Sequence, residues 1–397
     1  MAASTLTTCA FLYKRLYMAG QPNDIAMRAH PLLSMLRKED GFTGNAFYYA
    51  VKGANPQGIS GTFSSAQSAA SSSHGLQFAA SRKKKYGVIS LDGEAMAAAE
   101  NAGAFADLLT QETDGVLEEQ GDSLAFDLYR SGNGMRGRRA SASTNQITLT
   151  VADDARNFKY GMTIIADDTI TGASPRTGST TIDGVDEDAG VIDLVSAAGI
   201  TSFANNDYLF RSGDPGTCME GLEVLIPLTT PTVGESHRGV DRSTDARRYA
   251  GVRLDDTSAS IEENIGKVGV MISQVGQKAT DAFLNPIRYW EVVRRLGAKV
   301  EYSKGGGTAD YGFEYIMVHT PAGAIKVWSD PDCPTTRGFV LNLEYCFLKH
   351  LKPFVHIIED DGRPNLRSTT ADEIEARARS MSNLIIRRPG SCGVFSI

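Results

Sequence analysis

The sequence predicts an α+β fold in which a small β module interrupts a mixed host. Three observations carry this. Strand-forming runs over residues 45–91 give way to one long helical pattern, residues 141–214 turn to short alternating runs with an internal repeat, and residues 215–397 return to mixed helices and strands. At 397 residues, 42% hydrophobic and 22% charged, the chain can bury a substantial core divided among two or three modules.

Residues 1–45 read as an arm, with Pro31, Leu32, Leu33, Met35 and Leu36 able to make a turn or two of helix ending near Gly41. Asn45–Lys52 (NAFYYAVK) and Leu76–Leu91 (LQFAASRKKKYGVISL) read as the two strands of an extended hairpin. The tip between them, Gly53–Gly75, is built of Gly, Ser, Ala and Gln and shows no helical period. Ordering each residue costs about 1–2 kcal/mol of backbone entropy, so so long and apolar-poor a hairpin needs a partner surface or remains a disordered loop.

Asp92 is placed to cap a helix running towards Arg130, with Phe105, Leu109, Val116, Leu117, Leu124 and Leu128 on one stripe. Between Glu94 and Asp127 there are nine acidic residues and no basic one. That face is solvated, or it meets the basic patch Arg82, Lys83, Lys84, Lys85 of a neighbouring copy. Gly132, Gly134 and Gly137 end the helix.

In the following module Ile147, Leu149, Phe158 and Ile164 match Ile192, Leu194, Phe203 and Leu209 at an offset of 45 residues. Two copies of a two-strand unit can close a small β module, each covering the face its twin leaves open, between hinges at Gly132–Gly137 and Gly213–Gly216. Its aspartates (Asp153, Asp154, Asp167, Asp168, Asp183, Asp186, Asp188) lack the spacing of a calcium loop and read as turn residues.

Beyond it, Ser258–Gln277 presents Ile261, Ile265, Val268, Ile272 and Val275 on one helical face, and Asn285–Pro286 opens a helix with the stripe Ile287, Trp290, Val292 or Val293, and Leu296. Strands are expected at Glu314–His319, Ala324–Trp328, Gly338–Leu343 and Phe347–Ile358. A short charged helix, Ala371–Met381, should precede a terminal strand pair at Leu384–Arg387 and Gly393–Ile397.

No catalytic, cofactor-binding or metal constellation emerges. His350 and His356 stand six apart without a zinc pattern, Gly305–Gly307 lacks the flanks of a phosphate loop, and Glu359, Asp360 and Asp361 read as a solvated turn. Cys333 in DPDCP is a poor thiolate, and the five scattered cysteines (Cys9, Cys218, Cys333, Cys346, Cys392) suit a reducing cytosol. No run reaches the roughly 20 apolar residues of a membrane span, the opening residues lack a secretion signal, and a net charge of −7 argues against a protein that grips nucleic acid.

The order of parts resembles the major capsid proteins of tailed bacteriophages, which have the Hong Kong 97-type fold. Arg82–Leu91, Phe105–Tyr129, Leu209–Gly221 (LFRSGDPGTCMEG), Ala282–Pro286 (AFLNP), Val327–Pro334 (VWSDPDCP), and Gly362–Asp372 leading to Pro389 and Gly390 carry the likeness. It implies an N-terminal arm (1–45), an extended hairpin loop (46–92) lying over a neighbouring subunit, and a peripheral-domain spine helix (93–140). An inserted β domain (141–214), an axial domain (215–345) and a C-terminal return to the peripheral domain (346–397) would follow. The implied protein is not an enzyme. It self-assembles in the bacterial cytoplasm as hexamers and pentamers into the icosahedral virion head, enclosing double-stranded DNA without sequence-specific binding. Portal and cement proteins are possible partners, and with only about 45 residues before the hairpin a separate scaffold, or none, is expected. The lysine–asparagine crosslink of some members is not carried over. An encapsulin-type compartment shell and a β-rich hydrolase are the alternatives.

Overall fold

Pro31 pre-sets the backbone of the first helical turn, and the short helix α1 (Pro31–Met35) buries Leu32 and Leu33. The computed structural model describes residues 30–92, 102–143, 145–296, 302–304, 314–352, 354–358, 365–367 and 373–397. The first part of the arm and the expected turns at Gly305–Gly307 and Glu359–Asp361 lie outside these. The chain forms two compact units, Asp127–Val224 and the sequence on either side of it.

In the flanking unit, strand β1 (Arg37–Glu39) is followed by β2 (Ala46–Ala54), a short tip helix α2 (Phe63–Ser68), β3 (His74–Ser81) and β4 (Lys83–Asp92). β2 and β3 pair antiparallel from Ala46 opposite Ser81 to Ala54 opposite His74. The expected return strand is broken at Arg82: β3 stays with β2, whereas β4 leaves to pair with the C-terminal part of the chain. Asp92 is therefore the last residue of β4, opposite Glu373, and not a helix cap. The long helix α3 (Ala102–Tyr129) buries Leu117, Leu124 and Leu128, as its stripe predicts. After it, Gly132 and Gly134 take φ values of +82° and +85°, where any other residue would be strained.

The unit 127–224 holds a closed barrel of six strands: β5 (Met135–Ser143), β6 (Gln146–Leu149), β7 (Thr163–Asp167), β8 (Thr180–Asp186), β9 (Val191–Leu194) and β10 (Tyr208–Arg211), in the order β10-β5-β6-β9-β8-β7. All eight residues of the sequence repeat lie in its core. Each copy contributes three strands and not the expected two: β5-β6-β7 and β8-β9-β10. The first strand of each escapes the 45-residue offset because the β8–β9 turn is two residues longer than the β5–β6 turn. The copies are related by a pseudo-two-fold. Ile147 faces its own equivalent Ile192 across β6 and β9, and Ile165 faces its equivalent Phe210 across β7 and β10. Even the irregularities repeat, with a bulge between Arg139 and Ser141 and another between Ile182 and Gly184. Closure removes the sheet edges that either copy alone would expose.

After a small ladder of β11 (Ser236–His237) and β12 (Val240–Asp241), the flanking unit continues through α4 (Ala246–Ala250), β13 (Val252–Leu254), α5 (Ile261–Gln274), β14 (Asp281–Leu284) and α6 (Pro286–Leu296). Next come β15 (Tyr302–Lys304), β16 (Glu314–Thr320), β17 (Gly323–Ser329), β18 (Arg337–Leu341), β19 (Cys346–His350), β20 (His356–Ile357), β21 (Asn365–Arg367), β22 (Glu373–Ile386) and β23 (Gly393–Ser396). Seven strands form one sheet, β13-β23-β18-β14-β17-β16-β15, on which Ile261, Ile265, Val268 and Ile272 of α5 pack. Ser260 caps α5, its hydroxyl accepting from the Glu263 amide. On α6 the expected stripe is only partly right. Val292 is buried and Tyr289 packs on the core, while Ile287 and Trp290 are 51% and 64% exposed.

Three expectations near the C-terminus fail. Residues 373–386 form the long strand β22, not a charged helix, because they pair along one edge with all of β4 and along the other with β19, β20 and β21 in turn. The helix-forming Ala, Glu and Arg are overruled by this pairing, and Glu375, Ala376, Arg377 and Ala378 follow the strand period with Ala376 and Ala378 buried. The expected strand Phe347–Ile358 stops at His350, with Lys352 at φ +64°. Finally, β22 and β23 lie in different sheets and do not pair with each other.

Candidate assembly site

The base of the hairpin is buried within its own chain. Alternation puts Tyr49 and Val51 of β2 beside Phe78 and Ala80 of β3, and these pack with Val240, Tyr249, Phe347 and Ile385. The aromatic rings run in a chain, Phe47 to Tyr49 at 6.2 Å, Tyr49 to Phe78 at 5.5 Å and Phe78 to Tyr249 at 6.5 Å between centroids. Gly53 is required here because a methyl group on it would run into the Tyr249 hydroxyl. Arg238 ties the pair down, donating to the Tyr49 hydroxyl at 3.0 Å and the Leu384 carbonyl at 2.9 Å, and the Asn383 amide donates to the Ser81 carbonyl at 2.7 Å.

This corrects the expectation that the whole hairpin lacks a surface to bury. Only the tip does. Helix α2, which the tip's composition did not suggest, buries no residue, and Ile59 and Phe63 are 86% and 82% exposed. On β4, Tyr86 and Val88 also face outward.

The opposite face of β4 meets α3 of the same chain: the Gln120 amide donates to the Lys85 carbonyl at 3.2 Å, and a methyl on Gly87 would touch Val116. Arg82 donates to the Phe42 carbonyl at 3.1 Å and stacks 6.0 Å over its ring. The strand that carries the basic patch thus packs on the acidic helix of its own chain.

A clasp that the sequence did not announce holds the start of α1. Buried His30 bonds through Nε2 to Asp122 of α3 at 2.9 Å and through Nδ1 to Asp332 at 2.6 Å, while the Leu32 amide donates to Asp330 at 3.0 Å. Burial works against a charged imidazole, but hydrogen bonds to Asp122 and then Asp332 outweigh it and raise its pKa to about 10. The available signal was the DPD run at Asp330–Asp332, which the sequence offers only as the setting of Cys333 and as part of a capsid-like stretch.

Cys333 is buried, its thiol donating to the Phe283 and Arg337 carbonyls at 3.6 Å. Two of the barrel aspartates hold turns: Asp167 accepts from the Thr169 and Ser174 amides at 2.7 Å, and Asp186 accepts from the Asp188 and Ala189 amides at 3.1 and 2.9 Å. Among the described residues no group of three or more His, Cys, Asp and Glu is placed to hold a metal, and no helix is long and apolar enough to cross a membrane.

No family model and no curated protein matches the chain. Among solved structures, it matches a chain of the cyanophage A-1(L) capsid asymmetric unit with a TM-score of 0.57 at 11% identity, covering 96% of this chain and 94% of that one. The fold is of the Hong Kong 97 capsid type. Also similar are the holo-SrpI encapsulin complex from Synechococcus elongatus, with a TM-score of 0.48 at 7% identity over 100% and 96% of the two chains, and Mycobacterium phage Adephagia, with a TM-score of 0.44 at 11% identity over 96% and 92%. The α+β reading of the sequence and its likeness to this capsid fold hold. The hairpin base packs on Ile385 of β22, β22 pairs with β4, and the apolar Ile59 and Phe63 of the tip are left uncovered.

Proposed function

We propose that this chain is a non-catalytic shell subunit, the major capsid protein of a tailed phage, which assembles through hexamers and pentamers into an icosahedral head around double-stranded DNA. The observation that carries the proposal is the uncovered tip: Ile59 and Phe63 are exposed on a segment held by a rigid, internally packed base. Large apolar side chains are left in water on a supported element when another surface covers them. Identical copies supply that surface repeatedly, and closed symmetry turns many modest contacts into a stable shell. Exposed Ile287 and Trp290 on α6 offer a second contact in the proposed axial domain. The barrel is proposed as an outward-facing decoration, and scaffold, portal and cement proteins as separate partners.

Deleting residues 56–72 tests this. The shortened chain is expected to keep its secondary structure and melting transition but to yield no particles by negative-stain microscopy under conditions in which the full chain assembles. Normal shells from the deletion would contradict the proposal.

A further inference from the structure

A cleft of about 860 Å³ opens beside the hairpin base, within the range of specific binding sites. Its lining includes five cationic side chains, Arg37, Lys52, Arg248, Arg387 and Arg388, against the single carboxylate of Glu344. The chain as a whole is acidic, with a net charge of −7, so this concentration of positive charge runs against its surroundings. The guanidinium groups are held in place. Arg37 and Arg387 stack on Phe347 at 5.7 and 4.6 Å, and Arg388 stacks on Tyr345 at 4.6 Å while donating to its hydroxyl at 3.0 Å. Pairing with Glu39 and Asp245 behind them leaves the side chains of Arg37, Arg387 and Arg248 about half exposed. The Lys52 side chain makes no hydrogen bond or ion pair among the described residues.

The second wall is strand β2. Ala50, Val51, Lys52, Gly53 and Ala54 all line the cleft consecutively, so it opens on the edge of β2 and not merely on one of its faces. β2 pairs only with β3, and its other edge has no strand partner among the described residues. Such an edge is a template for one more strand, and five residues offer a track of roughly 17 Å.

We infer that this cleft docks an extended acidic segment of a second, different polypeptide, which adds as a strand to β2 and directs alternate carboxylates, about 7 Å apart, at the arginines and Lys52. Bare phosphate or nucleic acid would satisfy the charges but leave the strand edge unused. A second copy of this chain fits less well, because its most acidic described stretches are a face of helix α3 and the β8–β9 turn of the barrel, neither free to pair as a strand. The inference concerns the single chain and does not depend on shell assembly.

The test is fluorescence anisotropy on the purified full chain with a labelled peptide alternating Glu with Val or Thr. Saturable, salt-sensitive binding is expected. It should weaken by about tenfold or more when alternate peptide amides are N-methylated, since each lost backbone hydrogen bond is worth about 1 kcal/mol. Lys52→Glu, at an unpaired surface side chain, and separately Arg388→Glu should each weaken it comparably while circular dichroism stays unchanged. Four outcomes would overturn the inference: no binding by millimolar peptide, equal binding of the N-methylated peptide, binding indifferent to both substitutions, or tighter binding of oligothymidylate, which would make nucleic acid the occupant.

Discussion

At His30 one imidazole answers two carboxylates, and its positive charge strengthens the hold of Asp122 and Asp332 on the start of α1. Its pKa rises from 6.5 to about 10 on folding. A raised folded-state value means that the stabilisation is fully present below the unfolded pKa and is lost as pH climbs through the folded one. Thermal melts between pH 6 and 10 should therefore show a decline that His30→Asn flattens, and His30→Ala should cost about 3–5 kcal/mol near neutral pH by leaving facing carboxylates unpaired. A wild-type decline no steeper than the variant's would remove the clasp from the account. Gly53 makes a steric claim instead. Gly53→Ala places a methyl against the Tyr249 hydroxyl, and urea denaturation is expected to show a loss of about 1–3 kcal/mol.

Among the elements the barrel is the part that local sequence specifies best. Ile147 and Ile192, fully buried and directly opposed on the pseudo-two-fold, should each cost about 2–5 kcal/mol when changed to Ala, and the double change should depart from the sum because they share one cavity. Independent, additive effects would argue that the two copies do not close on each other. The repeat was legible because eight core positions recur at one spacing, whereas the first strand of each copy was not, since Met135–Ser143 and Thr180–Asp186 correspond at a shorter offset. β22 was misread for a physical reason. A stretch of Glu, Ala and Arg favours a helix in isolation, and pairing on both edges, above all the ten-residue ladder with β4 from distant sequence, makes it a strand. Trp290 and Ile287 were assigned inward because a helical stripe says which residues share a face, not which face meets the core.

Over the whole molecule, the order of parts was readable and the capsid-type fold followed from it, but the contacts that join those parts were not. His30 and Asp332 lie 302 positions apart, and the hairpin base is covered by Val240, Tyr249 and Ile385, none of which carries a local signal for that contact. What the composition did convey is the poverty of cover at the tip, where Ile59 and Phe63 are exposed; the covered base was not legible from it. The proposal that copies of the chain supply that cover is tested most directly by negative-stain microscopy of the purified full-length protein combined with limited proteolysis of the tip, alone and after co-expression with its neighbouring genes. Closed particles or rings of five and six subunits, with Gly53–Gly75 protected from protease as they form, are the predicted result. A stable monomer whose tip is cleaved equally at every concentration would contradict it.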